Sequence, residues 1–135
     1  MEDCIFCKII NKEIPADIIY EDENLLAFLD IRPVNKGHAL LIPKKHAADM
    51  TSSDDETLSQ LIVGVKKLAQ AIMTATGAAG FNLGVNTGAA SGQVVFHTHF
   101  HIIPRFANDG LKSWPHSDSE PKTRADVAAE IKKFL

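Results

Sequence analysis

The stretch Gln93-Val94-Val95-Phe96-His97-Thr98-His99-Phe100-His101-Ile102-Ile103-Pro104-Arg105 constrains this chain more than any other. Three of the six histidines fall in it at strict two-residue spacing, interleaved with Phe96, Thr98, Phe100 and Ile102. Successive side chains of a β-strand point to opposite faces, so a strand here puts His97, His99 and His101 on one face with Phe96, Phe100 and Ile102 packed behind. A helix would scatter the three imidazoles around its axis. On a strand rising about 3.3 Å per residue, His97 and His101 lie about 13 Å apart at Cα. One tetrahedral zinc, with bonds of about 2.0–2.1 Å to nitrogen, is not held by all three across that span, although a neighbouring pair could chelate. A merely solvated face has no need of imidazole three times in five positions, so the row reads as chemistry.

The remainder of the chain sets bounds on that chemistry. Its 135 residues suffice for one domain with a real core and are too few for two comfortable ones. A formal net charge of −3 argues against a general nucleic-acid binder, which would carry a basic field. No run approaches the length of a membrane span, and Met1-Glu2-Asp3 is acidic, unlike a signal peptide. The two cysteines form a single Cys4-x-x-Cys7 unit, so this is no disulfide framework and cytosolic residence is expected.

In chain order, Cys4 to Ile10 reads as a short helical turn offering Ile5, Phe6, Ile9 and Ile10 for packing. The Cys4-x-x-Cys7 unit is open to three readings: half of a zinc site, a redox dithiol, or two buried thiols. A thioredoxin-like dithiol would follow a strand, and no strand fits before residue 4. A zinc site needs two further ligands, for which His38, His46, His97 and His116 are the candidates. Ile18–Glu21 and Leu25–Leu29 are predicted to form an antiparallel hairpin, and His38–Pro43 a third strand after a loop punctuated by Pro33 and Gly37. Ser53 and Glu56 match a capping box. Leu58, Leu61, Ile62, Val65, Leu68, Ala69 and Ile72 then mark a long amphipathic helix running to about Thr76 and ended by Gly77. Gly64 in its middle is either a tolerated imperfection or the site of close approach by a second backbone, that of a partner subunit. Phe81–Asn86 is a fourth strand, followed by a small-residue loop, residues 87–92, that lets backbone amides approach a ligand beside His99. After Arg105 the chain loosens, and Thr123 would cap a last helix with Val127, Ile131 and Phe134 as its apolar stripe. The class is α+β: a five-stranded, mainly antiparallel sheet with one long helix and short terminal helices.

The His-x-His-x-His motif followed by two apolar residues resembles the signature of the histidine-triad (HIT) superfamily of nucleotide hydrolases and transferases. The resemblance extends over residues 4–106. Ile5-Phe6 with Lys8-Ile9-Ile10, Ala27-Phe28-Leu29-Asp30-Ile31, Gly37-His38 with Ile42-Pro43-Lys44-Lys45-His46, and Asn86 with Gly92-Gln93 all fall where motifs of the Hint-like branch fall, in its bacterial or archaeal form with an early Cys-x-x-Cys. It implies a HIT-like fold with a HIT domain over residues 1–106 and a tail over 107–135 whose short helix packs on the same domain. It implies a homodimer that hydrolyses purine nucleoside phosphoramidates or related nucleotidyl conjugates through a nucleotidyl-histidine intermediate. His99 would be the nucleophile, with His101 and His38 flanking the α-phosphate. Asn86, Gln93 and the Gly92 amide would position phosphate oxygens, and Asp30 would accept the ribose hydroxyls. Ile5, Phe6, Ile9, Phe28 and Ile31 would wall the purine pocket, although without the resemblance all five read as core. Cys4, Cys7, His46 and His97 would hold a structural zinc. Val94 departs from the pattern, standing where many relatives carry a small hydroxyl residue near the phosphate. Two other outcomes are compatible with the same motifs: a dinucleoside polyphosphate hydrolase, and a zinc-stabilised nucleotide-binding or scaffold protein whose turnover is incidental.

Overall fold

The computed structural model describes residues 3–135; Met1 and Glu2, part of the acidic start, lie outside the described residues. The chain forms α1 (Ile5–Ile10), the hairpin β1 (Ile18–Glu21) and β2 (Leu25–Leu29), β3 (Ala39–Pro43), α2 (Asp55–Thr76), β4 (Gly80–Gly84), β5 (Phe100–Arg105) and α3 (Pro121–Lys132). The five strands make one antiparallel sheet in the order β1-β2-β3-β5-β4. Among the described residues, no helix is long and apolar enough to cross a membrane.

The sequences of β2 and β3, Leu-Leu-Ala-Phe-Leu and Ala-Leu-Leu-Ile-Pro, carry almost no polar alternation because both strands are covered on both faces. Leu25, Ala27, Ala39 and Leu41 point to one side, where they join Leu61, Val65, Leu68 and Ile72 of α2. Leu26, Phe28, Leu40 and Ile42 point to the other, where Phe6 and Ile9 of α1 close over them. One sheet thus separates two cores. The α2 side carries stability, and truncating Leu41 to Ala would cost about 2–5 kcal/mol. The α1 side is thinner and leaves room for a site.

Helix α2 ends on Gly77 in the left-handed conformation (φ 76°), as its position after the periodic run predicts. Its start differs from expectation. Asp54, not Ser53, is the N-cap and accepts the Thr57 N–H at 2.8 Å. The hydroxyl of Ser53 is engaged elsewhere, with Thr98 Oγ1 at 2.7 Å and the Asp49 carbonyl at 3.0 Å. A capping box does form just upstream, between Asp49 and Ser52 of a short 3₁₀ turn. Gly64 also finds its reason inside the chain: a Cβ there would lie 3.0 Å from Leu41 Cδ2 and 3.2 Å from Leu25 Cδ1. The glycine lets α2 sink onto its own sheet, so it says nothing of a partner's backbone.

The histidine strand is shorter than its alternation suggests. β5 begins only at Phe100, and the segment before it bends away, pinned by the Thr98 N–H on the Ala47 carbonyl at 2.8 Å. Phe96 consequently does not pack behind the sheet but is half exposed. The end of the domain is firmer than expected. Asp109 accepts from Arg105 Nε at 2.8 Å, from Arg105 Nη2 and Asn35 Nδ2 at 3.0 Å, and from the Phe106 and Leu111 N–H groups. These donors hold its carboxyl well below the usual carboxylate range, the Arg105 bonds foremost. Beyond it every residue from Leu111 to Leu135 is exposed, so α3 does not pack on its own domain as expected.

Candidate active site and metal centre

Antiparallel register builds the floor of the site. Phe28 lies opposite Leu40, and Leu40 opposite His101, so these three side chains form a row across β2, β3 and β5 on the α1 side of the sheet. Phe6 of α1 caps the row, its ring meeting Phe28 edge-on at 5.6 Å and His99 at 5.1 Å. The result is a cavity of about 560 Å³, within the range of about 300–1,000 Å³ typical of small-molecule sites. Ile5, Phe6, Ile9 and Phe28 give it apolar walls, Ile31 flares at its mouth, and Asp30, Asn86, Gly92, Val94, Val95, His99 and His101 supply the opposite side.

The tautomers follow from hydrogen-bond partners. His99 Nδ1 lies 2.7 Å from the His97 carbonyl, an acceptor only, so Nδ1 carries the proton and Nε2 keeps a bare lone pair. His38 is fixed the other way: the Val34 N–H donates to its Nδ1 at 3.0 Å, which leaves the proton on Nε2. That Nε2–H then donates to His101 Nδ1 at 3.0 Å, so His101 bears its own proton on Nε2. A directed chain therefore runs from a backbone amide through two imidazoles to the cavity. Burial lowers the pKa of all three rings; at His101, neighbouring His99 and His38 add to it and bring the value to about 4. All three are neutral near pH 7.

Asp30 sits at the end of β2. Its Oδ1 accepts the Arg32 N–H at 2.8 Å, and Oδ2 lies 3.6 Å from His38 Nε2. Two of the residues expected at the phosphate make their hydrogen bonds within the loop, Gln93 off the cavity and Gly92 on its lining. Gln93 does not line the cavity; its buried amide accepts the Gly88 N–H at 2.8 Å and donates to the Ala48 and Val95 carbonyls. The Gly92 N–H is bonded to the Ala89 carbonyl at 3.0 Å, and the residue itself is needed for its φ of 102°. Gln93 and Gly92 thus shape the loop from within. The groups sequence reading missed are backbone ones: the N–H groups of Val94 and Val95, two cavity-lining residues, which donate to no described residue, and the Val34 amide. Side-chain patterns carry no signal for them.

On the far side of His97 a second cluster forms from Cys4, Cys7, His46 and His97. Cys4 and Cys7 sit at the cap and first turn of α1, and His46 follows the stop that Pro43 imposes on β3. The ligand atoms lie close together: Cys4 Sγ–His97 Nδ1 3.5 Å, Cys7 Sγ–His46 Nδ1 3.4 Å, His46 Nδ1–His97 Nδ1 3.1 Å. Donor atoms around a tetrahedral zinc with bonds of about 2.0–2.3 Å lie at such spacings. His97 Nε2 donates to the Pro43 carbonyl at 2.7 Å, so Nδ1 presents a bare lone pair to the cluster. Burial and the adjacent Cys4 sulfur push the Cys7 thiol up to about 11, a penalty that a divalent cation would reverse by drawing off the proton. The donor set fits zinc. His116 is exposed on the tail and His38 lies in the other cluster, so neither competes for this site.

Asp30, His38 and His101 also bring three ligand atoms together. There the tautomers oppose a metal, because the Val34 N–H occupies one nitrogen of His38 and a proton the other.

Comparison with known proteins accords with this layout. The chain is 42% identical over 135 residues to the adenosine 5′-monophosphoramidase hnt1 of Schizosaccharomyces pombe, with 96% of this chain and 98% of that one covered. The crystal structure of SMU.412c from Streptococcus mutans superposes with a TM-score of 0.92 at 40% identity, covering 98% of this chain and 85% of that one. A zinc-bound histidine triad family protein from Mycobacterium smegmatis superposes with a TM-score of 0.80 at 37% identity, covering 99% of each chain. The HIT domain model matches residues 11–108, which hold His99, His101, His38 and their supports, and this chain belongs to the HIT family.

Proposed function

We propose that this protein hydrolyses nucleoside phosphoramidates, or related conjugates of a nucleoside monophosphate, through a nucleotidyl-histidine intermediate. The observation that carries the reading is His99: buried, neutral, its Nδ1–H committed to the His97 carbonyl, and its Nε2 lone pair left free beside the cavity. Binding alone has no use for a ring oriented in this way. The S. pombe relative, a named monophosphoramidase, supports the substrate class.

The base enters between Phe6, Ile9, Phe28 and Ile31, and the free Asp30 Oδ2 accepts from the ribose. His99 Nε2 attacks the α-phosphorus, the phosphorus–nitrogen bond breaks, and the leaving amine takes a proton from solvent water, to which hydrolysis of the adduct later returns one, while the His101 Nε2–H donates a hydrogen bond to a phosphoryl oxygen. His38 holds that proton on Nε2 by donating to His101 Nδ1. Amide N–H groups of Val94 and Val95 and the Asn86 side chain stabilise the charge on the phosphoryl oxygens, worth about 10²–10³ in rate for a well-aimed donor. Water then attacks the His99 adduct and releases the monophosphate and free imidazole. Covalent catalysis of this kind splits one difficult displacement into two easier ones.

Zinc at Cys4, Cys7, His46 and His97 would hold α1 to the loop that carries His97, and so stabilise the wall of the site. A homodimer completes the reading. Strand β4 is a sheet edge whose Phe81 and Leu83, opposite Pro104 and Ile102, are exposed beside α2. An apolar unpaired edge of this sort is a template for a second copy.

Intact-mass spectrometry within seconds of mixing with adenosine phosphoramidate tests the mechanism. Wild type should gain one AMP on His99. His99→Asn should gain none and lose at least about a thousandfold in turnover. Wild-type turnover in that variant would overturn the assignment.

A further inference from the structure

The loop between β2 and β3, residues 30–38, carries Asp30 at one end and His38 at the other, and the Asp30 N–H closes it on the His38 carbonyl at 2.9 Å. Between them Ile31, Arg32, Pro33 and Val34 are exposed, so apolar packing does not fix this stretch. Yet it bears the Val34 N–H that sets the tautomer of His38. The two ends of that hydrogen bond are held by different means. His38 leads into β3, and Gly37 before it packs so closely that a Cβ would lie 2.8 Å from Thr76 Cγ2 and 3.3 Å from Pro104 Cγ. Val34 depends on its neighbour, Asn35.

Asn35 is tied at both its backbone and its side chain. Its carbonyl accepts the His38 N–H at 3.1 Å. Its side-chain NH₂ donates to the Pro104 carbonyl at 2.9 Å and to Asp109 Oδ2 at 3.0 Å. Among the described residues, these two side-chain bonds are the only hydrogen bonds that join residues 31–36 to anything outside the loop. Both acceptors are firmly placed. Pro104 belongs to β5, the strand that also carries His101, so the anchor and the second imidazole share one frame. Asp109, its side chain 8% exposed, takes four bonds from residues 105–111: Arg105 Nε and Nη2 and the Phe106 and Leu111 N–H groups. That turn is complete without Asn35, which reaches it from 74 residues away. The fifth donor serves the loop and not the turn.

The sense of the imidazole chain hangs on this anchor. Two neutral imidazoles sharing one hydrogen bond can point it either way. With the Val34 N–H in place, His38 donates and His101 keeps its proton on Nε2. With the sense reversed, His101 Nε2 would turn a bare lone pair on the phosphoryl oxygens and repel them. Asp30 Oδ2 favours the first sense, but at 3.6 Å from His38 Nε2 it is too far to form a hydrogen bond of its own.

We propose that Asn35 is a positioning residue for the reaction, acting through Val34 and His38, with Asp109 and the Pro104 carbonyl as the fixed points against which it is set. The kinetic consequence rests on the nucleotidyl-histidine reading; the effect on the His38 tautomer does not.

The test uses full-length, zinc-loaded protein and two variants, Asn35→Ala and Asn35→Asp, the second nearly isosteric but without the NH₂ donor. Long-range ¹H–¹⁵N spectra of the free protein report the His38 ring, because a bare imidazole nitrogen resonates far downfield of a protonated one. Wild type should show two widely separated nitrogens, with Nδ1 the bare one. Both variants should bring the two toward a common value, and kcat on adenosine phosphoramidate should fall about three- to tenfold with KM little changed. A variant that was only less stable would keep the wild-type spectrum in its folded fraction. Wild-type nitrogens in both variants overturn the proposal, and so does a shifted ring with unchanged kcat. Failure of wild type to form an AMP adduct overturns the mechanism alone, since the spectra still decide whether Asn35 sets His38.

Discussion

Two pairs of histidines in this molecule touch at nearly the same distance and mean opposite things. His46 and His97 bring Nδ1 to Nδ1 at 3.1 Å; His38 and His101 bring Nε2 to Nδ1 at 3.0 Å. Partners on the far side of the rings separate the two cases. The Pro43 carbonyl takes the proton of His97 away from the cluster and leaves a lone pair among sulfurs, an arrangement that attracts a cation. The Val34 amide does the reverse to His38 and forces the proton into the gap, where it makes a hydrogen bond. Ring-to-ring spacing alone does not distinguish a metal site from a proton path; the backbone behind the ring does.

The largest effect that would break this contrast is loss of the cation. Structural zinc contributes on the order of 10 kcal/mol of apparent binding energy in small domains. Cys4→Ser with Cys7→Ser should therefore drop zinc content from one per chain to near zero by elemental analysis and lower Tm by at least about 10 °C. Two metals per wild-type chain would mean that the Asp30–His38–His101 cluster also binds one and that the tautomer argument is wrong.

A smaller effect should come from Val34→Pro, which removes the N–H that sets His38. Losing one oriented hydrogen bond of about 1 kcal/mol predicts a fall of roughly five- to tenfold in kcat/KM. The freed nitrogen should also make the variant sensitive to micromolar Zn²⁺ where wild type is not. Steady-state rates with and without added zinc read both, with circular dichroism as the control for folding. An unchanged rate would mean that the amide does not direct the proton.

The smallest effect is on stability against pH. His101 titrates at about 4 in the native chain and near 6.5 when unfolded. Between those values the unfolded chain binds the proton that the native one refuses, so stability falls as pH drops from about 6.5 to 4 and is indifferent to this group above that window. Urea midpoints at pH 7 and pH 4.5 should converge more for His101→Gln than for wild type. An equal decline in both proteins would assign the acid sensitivity to other groups.

Side-chain periodicity made much of this legible in advance. The hairpin, the long helix with its Gly77 stop, and the gathering of Cys4, Cys7, His46 and His97 follow from spacing and resemblance. What escaped was decided by competition for partners. Ser53 is a good cap in isolation, but Thr98 claims its hydroxyl and Asp54 is the stronger acceptor. Gln93 reads as a ligand residue until three backbone groups take its amide. The alternating histidines imply a strand, yet Ala47 captures the Thr98 amide and β5 starts one residue after His99. Asp109 gave no periodic signal because its role depends on Arg105 and Asn35 arriving from elsewhere.

The double coverage of β2 and β3 has a consequence for how the chain avoids error while folding. In a sheet with one wet face, a one-residue slip in pairing exposes leucines and is rejected by water. Here both faces are oily, so solvation does not police the register. Size must do so instead. Ala27, Ala39 and Gly64 make the α2 side shallow, whereas Phe28 and Leu40 need the depth on the α1 side. A β2 slipped by one residue would turn Phe28 to the α2 side, into the place of Ala27 or Leu29 where the helix lies close on the sheet, and the penalty for mispairing is collision.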